Sequence, residues 1–257
     1  MIIEGYKIAL DETKLDEMIN NQMTDVVLID KNFEGYKNLS DGDKKALEHL
    51  VKASKIINDV ALQQDHILNK KLKNGLEEAS KTNEHARKAL VIFNSLNGVL
   101  GLNGIDEKPV KIFENIDEYA GHNFYPTDLT IEEFHNILFK MIERGKIDEI
   151  KKILSARSMV RRKDDELFGI DYTEYFAEEF SQVANELELA AHYSTNEEFN
   201  EFLGWQAQAL LQNNEDMDML ADKHWADLQN TPLEFTVSRE NYDDEIIEVK
   251  STEIKSN

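Results

Sequence analysis

The sequence predicts a mainly α-helical fold with small β elements, and three observations carry that prediction. Apolar residues recur at helical spacing over most of the chain. Serine, threonine or asparagine stands at the head of several such runs, twice with glutamates in the first turn. Only 3 prolines and 11 glycines occur in 257 residues, too few for an all-β or linker-rich chain.

Taken in order, residues 1–46 read as an N-terminal extension with short strands, of which Val26-Val27-Leu28-Ile29 is the clearest. From Leu47 the positions Leu50, Val51, Ile57, Val60, Ala61, Ile67 and Leu68 keep helical spacing, and Ser40 with Asp43 supplies oxygens for the orphan first-turn amides. Residues 76–95 predict a second helix. It ends at Asn97-Gly98 and the glycines up to Gly104, because Asn and Gly tolerate left-handed backbone. Thr130-Ile131-Glu132-Glu133 is a capping box for a helix that buries Phe134, Ile137, Leu138, Met141 and Ile142 and stops at Gly145. Ser158-Met159-Val160-Arg161-Arg162 predicts an extended segment before a turn at Lys163-Asp164-Asp165. Residues 172–193 form one long amphipathic helix carrying Tyr175, Phe176, Phe180, Val183, Leu187 and Ala191. Thr195-Asn196-Glu197-Glu198 opens the next, which buries Phe199, Phe202, Leu203, Leu210 and Leu211. A short helix over 217–228 carries Trp225, and Trp205 and Trp225 both read as core. Leu233-Glu234-Phe235-Thr236-Val237 alternates as a half-buried strand does, and residues 243–257 read as an acidic tail.

Charge and composition narrow the function. With 29 Lys+Arg against 51 Asp+Glu the net charge is −22, which leaves no basic surplus for a phosphate backbone, so no nucleic-acid partner is expected. The absence of cysteine removes disulfides, thiolate metal sites and cysteine nucleophiles. No run approaches the roughly 18 apolar residues of a membrane span, and the first residues lack a secretory pattern. The expectation is a soluble cytoplasmic protein with no membrane partner.

Motifs of chemistry are scarce. None of His49, His66, His85, His122, His135, His192 and His224 has a second histidine four residues away, as a helical zinc pair requires. Gly98, Gly101 and Gly104 fit neither the dinucleotide fingerprint nor a P-loop. Asp164-Asp165-Glu166 and Asp243-Asp244-Glu245 lack the ligand spacing of a calcium loop and read as solvated acids. Arg161-Arg162-Lys163 is expected to pair with local acids. No catalytic residue and no metal ligand is assigned.

A resemblance adds to this reading. Asn123-Phe124-Tyr125-Pro126-Thr127-Asp128-Leu129-Thr130-Ile131-Glu132-Glu133-Phe134 resembles a segment of bacterial dipeptidyl-peptidase III-like zinc metallopeptidases. Val160 to Asp164, Tyr172 with its helix, Phe202 to Leu211 and Trp225-Ala226-Asp227-Leu228 are similar to that family in the same order. Glu234 to Asp244 resembles its strand followed by Glu-x-Tyr-x-Asp, and Leu47 to Gln64 its early helix. The resemblance implies a peptidase-like helical domain over residues 47–242, corresponding to the N-terminal half of a two-lobed zinc peptidase.

The family binds zinc through His-Glu-x-x-Gly-His and a downstream Glu, and no His-Glu dipeptide occurs in this chain. The resemblance therefore implies a noncatalytic fragment, inactive alone, with zinc expected only where a C-terminal peptidase half exists. After Asp244 the chain departs from the family's Phe-Gly-Tyr-Lys-rich continuation. Glu240 and Tyr242 alone match family positions with a role: the Glu binds the free amino terminus of a peptide, and the Tyr lies at the cleft. The partners implied are a short peptide with a free amino terminus and a C-terminal peptidase half. The alternative is a noncatalytic acidic helical protein that binds a peptide or protein partner.

Overall fold

The structure is a computed structural model that describes residues 1–22, 31–103, 108–242 and 244–255; the side chains of Gln22, Ser238, Glu240, Asn241, Tyr242, Ile254 and Lys255 are not described. It is mainly helical with small antiparallel strand pairs, as the sequence predicts. The chain divides into two units, Met1–Leu28 with Leu62–Asn123, and Ile29–Ala61 with Phe124–Asn257. The strand expected at Val26–Ile29 lies outside the described residues.

In chain order, β1 (Ile2–Ile3) pairs with β2 (Tyr6–Lys7), and α1 (Glu12–Gln22) follows. Next come α2 (Glu34–Asn38) and α3 (Asp41–Asp65), whose last turn from Leu62 belongs to the first unit. Then α4 (Asn69–Ser80), α5 (Glu84–Leu96) and the pair β3 (Leu100–Leu102) and β4 (Pro109–Lys111) complete that unit. Its core joins Leu15 and Met18 of α1 to Leu72 and Leu76 of α4 and Ile92 and Phe93 of α5. The single helix expected over 76–95 is in fact two. The chain breaks after Ser80, and the Asn83 side chain accepts from the Ala86 amide at 3.0 Å to start α5. Asn97, in left-handed conformation at φ 55°, closes α5 as expected.

The second unit continues with α6 (Ile131–Glu143), α7 (Ile147–Ile153), β5 (Ser158–Lys163) and β6 (Glu166–Asp171). It ends with α8 (Tyr172–Tyr175), α9 (Ala177–Tyr193), α10 (Glu197–Leu211), α11 (Glu215–Asp227), β7 (Val237–Tyr242) and β8 (Ser251–Lys255). Phe124, Tyr125, Phe134, Tyr172, Phe176, Phe180, Phe199 and Phe202 share one core. Phe176 adopts a non-helical φ/ψ of −109°/30° and separates α8 from α9, where one continuous helix was expected.

Capping explains where these helices start. Ser40 Oγ accepts from the Asp43 amide at 3.0 Å, and Thr130 Oγ1 from the Glu133 amide at 3.1 Å. Gly145 ends the α6 region at φ 73°, a backbone few other residues adopt cheaply. At α10 the cap is Asn196, which accepts from the Phe199 amide at 2.8 Å. Thr195 instead gives its hydroxyl to Asp43 at 2.9 Å.

Five expectations of burial or extent are corrected. Ile142, Leu211 and Trp225 are exposed, since each points off the face that its helix buries. The strand read at Leu233–Val237 begins only at Val237 and runs on to Tyr242. Residues 243–257, read as a tail, carry β8, and Asp244, Lys250 and Glu253 are buried. Among the described residues, no helix is long and apolar enough to cross a membrane.

Candidate functional site

Glu240 and Tyr242 both lie in β7, so the construction of the β7–β8 hairpin decides what they can do. The antiparallel register pairs Arg239 with Glu253 and Glu240 with Thr252, then jumps to pair Tyr242 with Ser251. Asn241 is thus an extra residue, a β-bulge placed between the two candidates. Bulges bend a strand and re-aim its side chains, and they concentrate beside functional sites.

Three buried polar devices fix this hairpin. At the turn, the Asp244 carboxylate accepts from the backbone amides of Ile246, Ile247, Glu248, Val249 and Lys250 at 2.8–3.2 Å. Burial alone would raise its pKa, but the amides outweigh it and hold the carboxyl below the usual range. Just before β8, Lys250 Nζ donates to the Ile153 and Ser155 carbonyls, each at 2.7 Å, and to Ser158 Oγ at 2.8 Å. Three N–H donors thereby meet three oxygens, while burial pulls the ammonium down to about 7. The next residue is held as well: the Ser251 carbonyl accepts from the Tyr172 hydroxyl at 2.7 Å, and its amide donates to the Ala156 carbonyl at 2.9 Å.

The third device is an ionic network beneath β7. Arg239 donates through Nε to Glu253 at 2.7 Å, through Nη1 to Asp218 at 3.3 Å, and through Nη2 to the Leu210 carbonyl at 3.3 Å. Its guanidinium also lies 5.7 Å from the centre of the Phe180 ring. Asp218 is shared with Arg157 at 2.5 Å, so two guanidinium groups meet two carboxylates. Complete burial pushes the Glu253 carboxyl up, against the pull of Arg239. Gln206 adds a bond from its amide to the Val237 carbonyl at 3.1 Å.

The fold has counterparts among solved structures. The chain superposes on a dipeptidyl-peptidase III from Corallococcus sp. strain EGB with a TM-score of 0.75 at 22% identity, over 95% of this chain and 43% of that one. It superposes on a dipeptidyl-peptidase III from Caldithrix abyssi with a TM-score of 0.64 at 25% identity, over 84% of this chain and 39% of that one. The chain carries part of a dipeptidyl-peptidase III fold. It spans less than half the length of either structure, and the likeness is one of fold. No protein-family model matches the chain, and no curated sequence does.

Within the dipeptidyl-peptidase III-like fold, the segments that carry the resemblance have identifiable work. The Phe124 carbonyl accepts from the Val160 amide at 2.6 Å, and Phe124 and Tyr125 are buried, so this segment braces β5. Arg162 pairs with Glu133 at 2.6 Å and Asp128 at 3.4 Å, as expected of a basic run among acids. Arg161 instead donates to the Tyr175 hydroxyl at 2.8 Å. Asp165 and Glu166 are not simply solvated, because both pair with Arg144 and Glu166 also with Lys146.

Of the sequence-predicted site, the structure describes the backbone of Glu240 and Tyr242 and places them on one bulged strand. Sequence reasoning missed Arg239, Asp218, Lys250 and Glu253, although Arg239 stands next to Glu240. Among the described residues, no group of three His, Asp or Glu side chains stands close enough together to hold a metal ion.

Proposed function

We propose that this chain is a dipeptidyl-peptidase III-like domain that holds part of a peptide cleft and does not hydrolyse peptides by itself. The observation that carries the reading is the bulge between Glu240 and Tyr242, in a hairpin of a fold shared with dipeptidyl-peptidase III structures. A carboxylate at Glu240 pairs with the ammonium of a free peptide amino terminus. A phenol at Tyr242 donates a hydrogen bond to a carbonyl oxygen on which negative charge develops. The charge of −22 favours cationic peptide termini over anionic ones. Hydrolysis falls to a C-terminal peptidase half with the His-Glu-x-x-Gly-His motif, which supplies the metal and the general base.

Two measurements test this. Metal analysis with a dipeptide-release assay is expected to find neither stoichiometric zinc nor turnover for this chain, and tightly bound zinc with turnover contradicts the noncatalytic reading. Replacing Glu240 and Tyr242 together by Ala is expected to weaken binding of short free-amine peptides about tenfold or more. Unchanged affinity removes the two residues from the site.

A further inference from the structure

We infer that Arg239 and Glu253 are positioning residues for peptide recognition: their buried ion pair fixes the part of β7 that carries Glu240 and Tyr242. The inference rests on the reading of those two residues as the peptide-binding pair.

The geometry argues for positioning rather than stabilisation. The Arg239 side chain is 5% exposed and that of Glu253 0%. Desolvating two charges costs so much that a well-packed apolar pair serves stability as well or better. An apolar pair lacks direction, and direction is what Arg239 supplies. Its three donors reach the last turn of α10 at Leu210, α11 at Asp218, and β8 at Glu253. Every bond of the fork constrains the same backbone position, one residue before Glu240.

Register gives the second argument. Arg239 and Glu253 are directly opposed, and they form the last pair but one before the bulge. A slip of one residue would turn Arg239 to the other face of the hairpin and strand Glu253 in the core. The slipped state is therefore excluded, and the extra residue is confined to Asn241. Asp218 strengthens the constraint, since Arg157 holds it from the other side at 2.5 Å.

The test is calorimetric titration of the whole chain with a tripeptide and its N-acetylated twin. The unmodified protein is expected to prefer the free amine. Glu253→Gln and Arg239→Lys keep the volume but break the fork, and both are expected to lower that preference about tenfold. Arg239→Leu with Glu253→Leu guards against misfolding, and it is expected to stay folded by circular dichroism and still lose the preference. Folded variants that keep the full preference overturn the inference and leave the pair a structural element only. An unmodified protein without amine preference overturns the reading of Glu240 and Tyr242, and the inference falls with it.

Discussion

A lysine can be buried when each of its three N–H groups finds an oxygen, and Lys250 does so with Ile153, Ser155 and Ser158. Burial still pulls the ammonium from the ordinary 10.5 to about 7. The folded amine thus binds its proton less tightly than the unfolded one, so between about pH 7 and 10.5 the unfolded chain holds more protons. The sign follows: this contribution to stability is present above the unfolded pKa and is lost as pH falls through about 7. Urea unfolding across that range should show stability rising with pH, and Lys250→Met should flatten the rise. An identical slope in the variant would contradict the assignment. Gly169 offers a steric counterpart. A Cβ there would come within 2.5 Å of the Lys152 carbonyl carbon and 2.8 Å of the Ile153 amide, both backbone atoms that cannot step aside. Gly169→Ala is expected to cost about 1–3 kcal/mol by overpacking, read as a lower unfolding midpoint. Neither residue was legible in the sequence. Lys250 and Glu253 stand in a run of alternating charges that reads as solvated, and only the folded hairpin reveals that they face inward.

At the scale of elements, caps decide where helices begin. Thr130→Ala and Asn196→Ala should each cost about 1 kcal/mol in thermal or urea unfolding, because each leaves a first-turn amide without its acceptor. The same change at Ser40 acts on Asp43 as well, whose carboxyl accepts from the Ser40 hydroxyl at 2.6 Å and the Thr195 amide at 3.0 Å. Burial opposes the charge, yet these bonds hold the Asp43 pKa below the ordinary 3.8, so its contribution is lost only in acid. The capping box at Thr130 was legible because one residue satisfied both the hydroxyl and the spacing rule. At Thr195-Asn196 the same rule picks Thr195 with Glu198, but Asp43, distant in sequence, draws the Thr195 hydroxyl away and the Asn196 amide oxygen caps the helix instead. The break at residues 81–83 was not legible from periodicity, since apolar spacing on either side continues through it. Likewise β6 went unread because Glu166-Leu167-Phe168-Gly169-Ile170-Asp171 alternates poorly, and its pairing with β5 supplies what the pattern lacks.

For the molecule as a whole, the order of segments was the legible part. Pieces that resemble dipeptidyl-peptidase III one after another from Leu47 to Asp244 correspond to a chain that superposes on such structures over 84% and 95% of its length. The chemistry was less legible, because the residues that hold β7 in place come from α10, α11 and β8, far apart in sequence. The high negative charge leaves no basic surplus for a phosphate backbone, and in the proposed cleft it acquires a use at a cationic peptide terminus. The most direct test titrates the unmodified chain and its Glu240→Gln variant with one short peptide bearing a free amino terminus. Measurable binding by the unmodified chain, weakened about tenfold or more in the variant, is the predicted result. Equal affinity in both proteins, or no binding by either, would contradict the claim that this chain carries a peptide-binding strand.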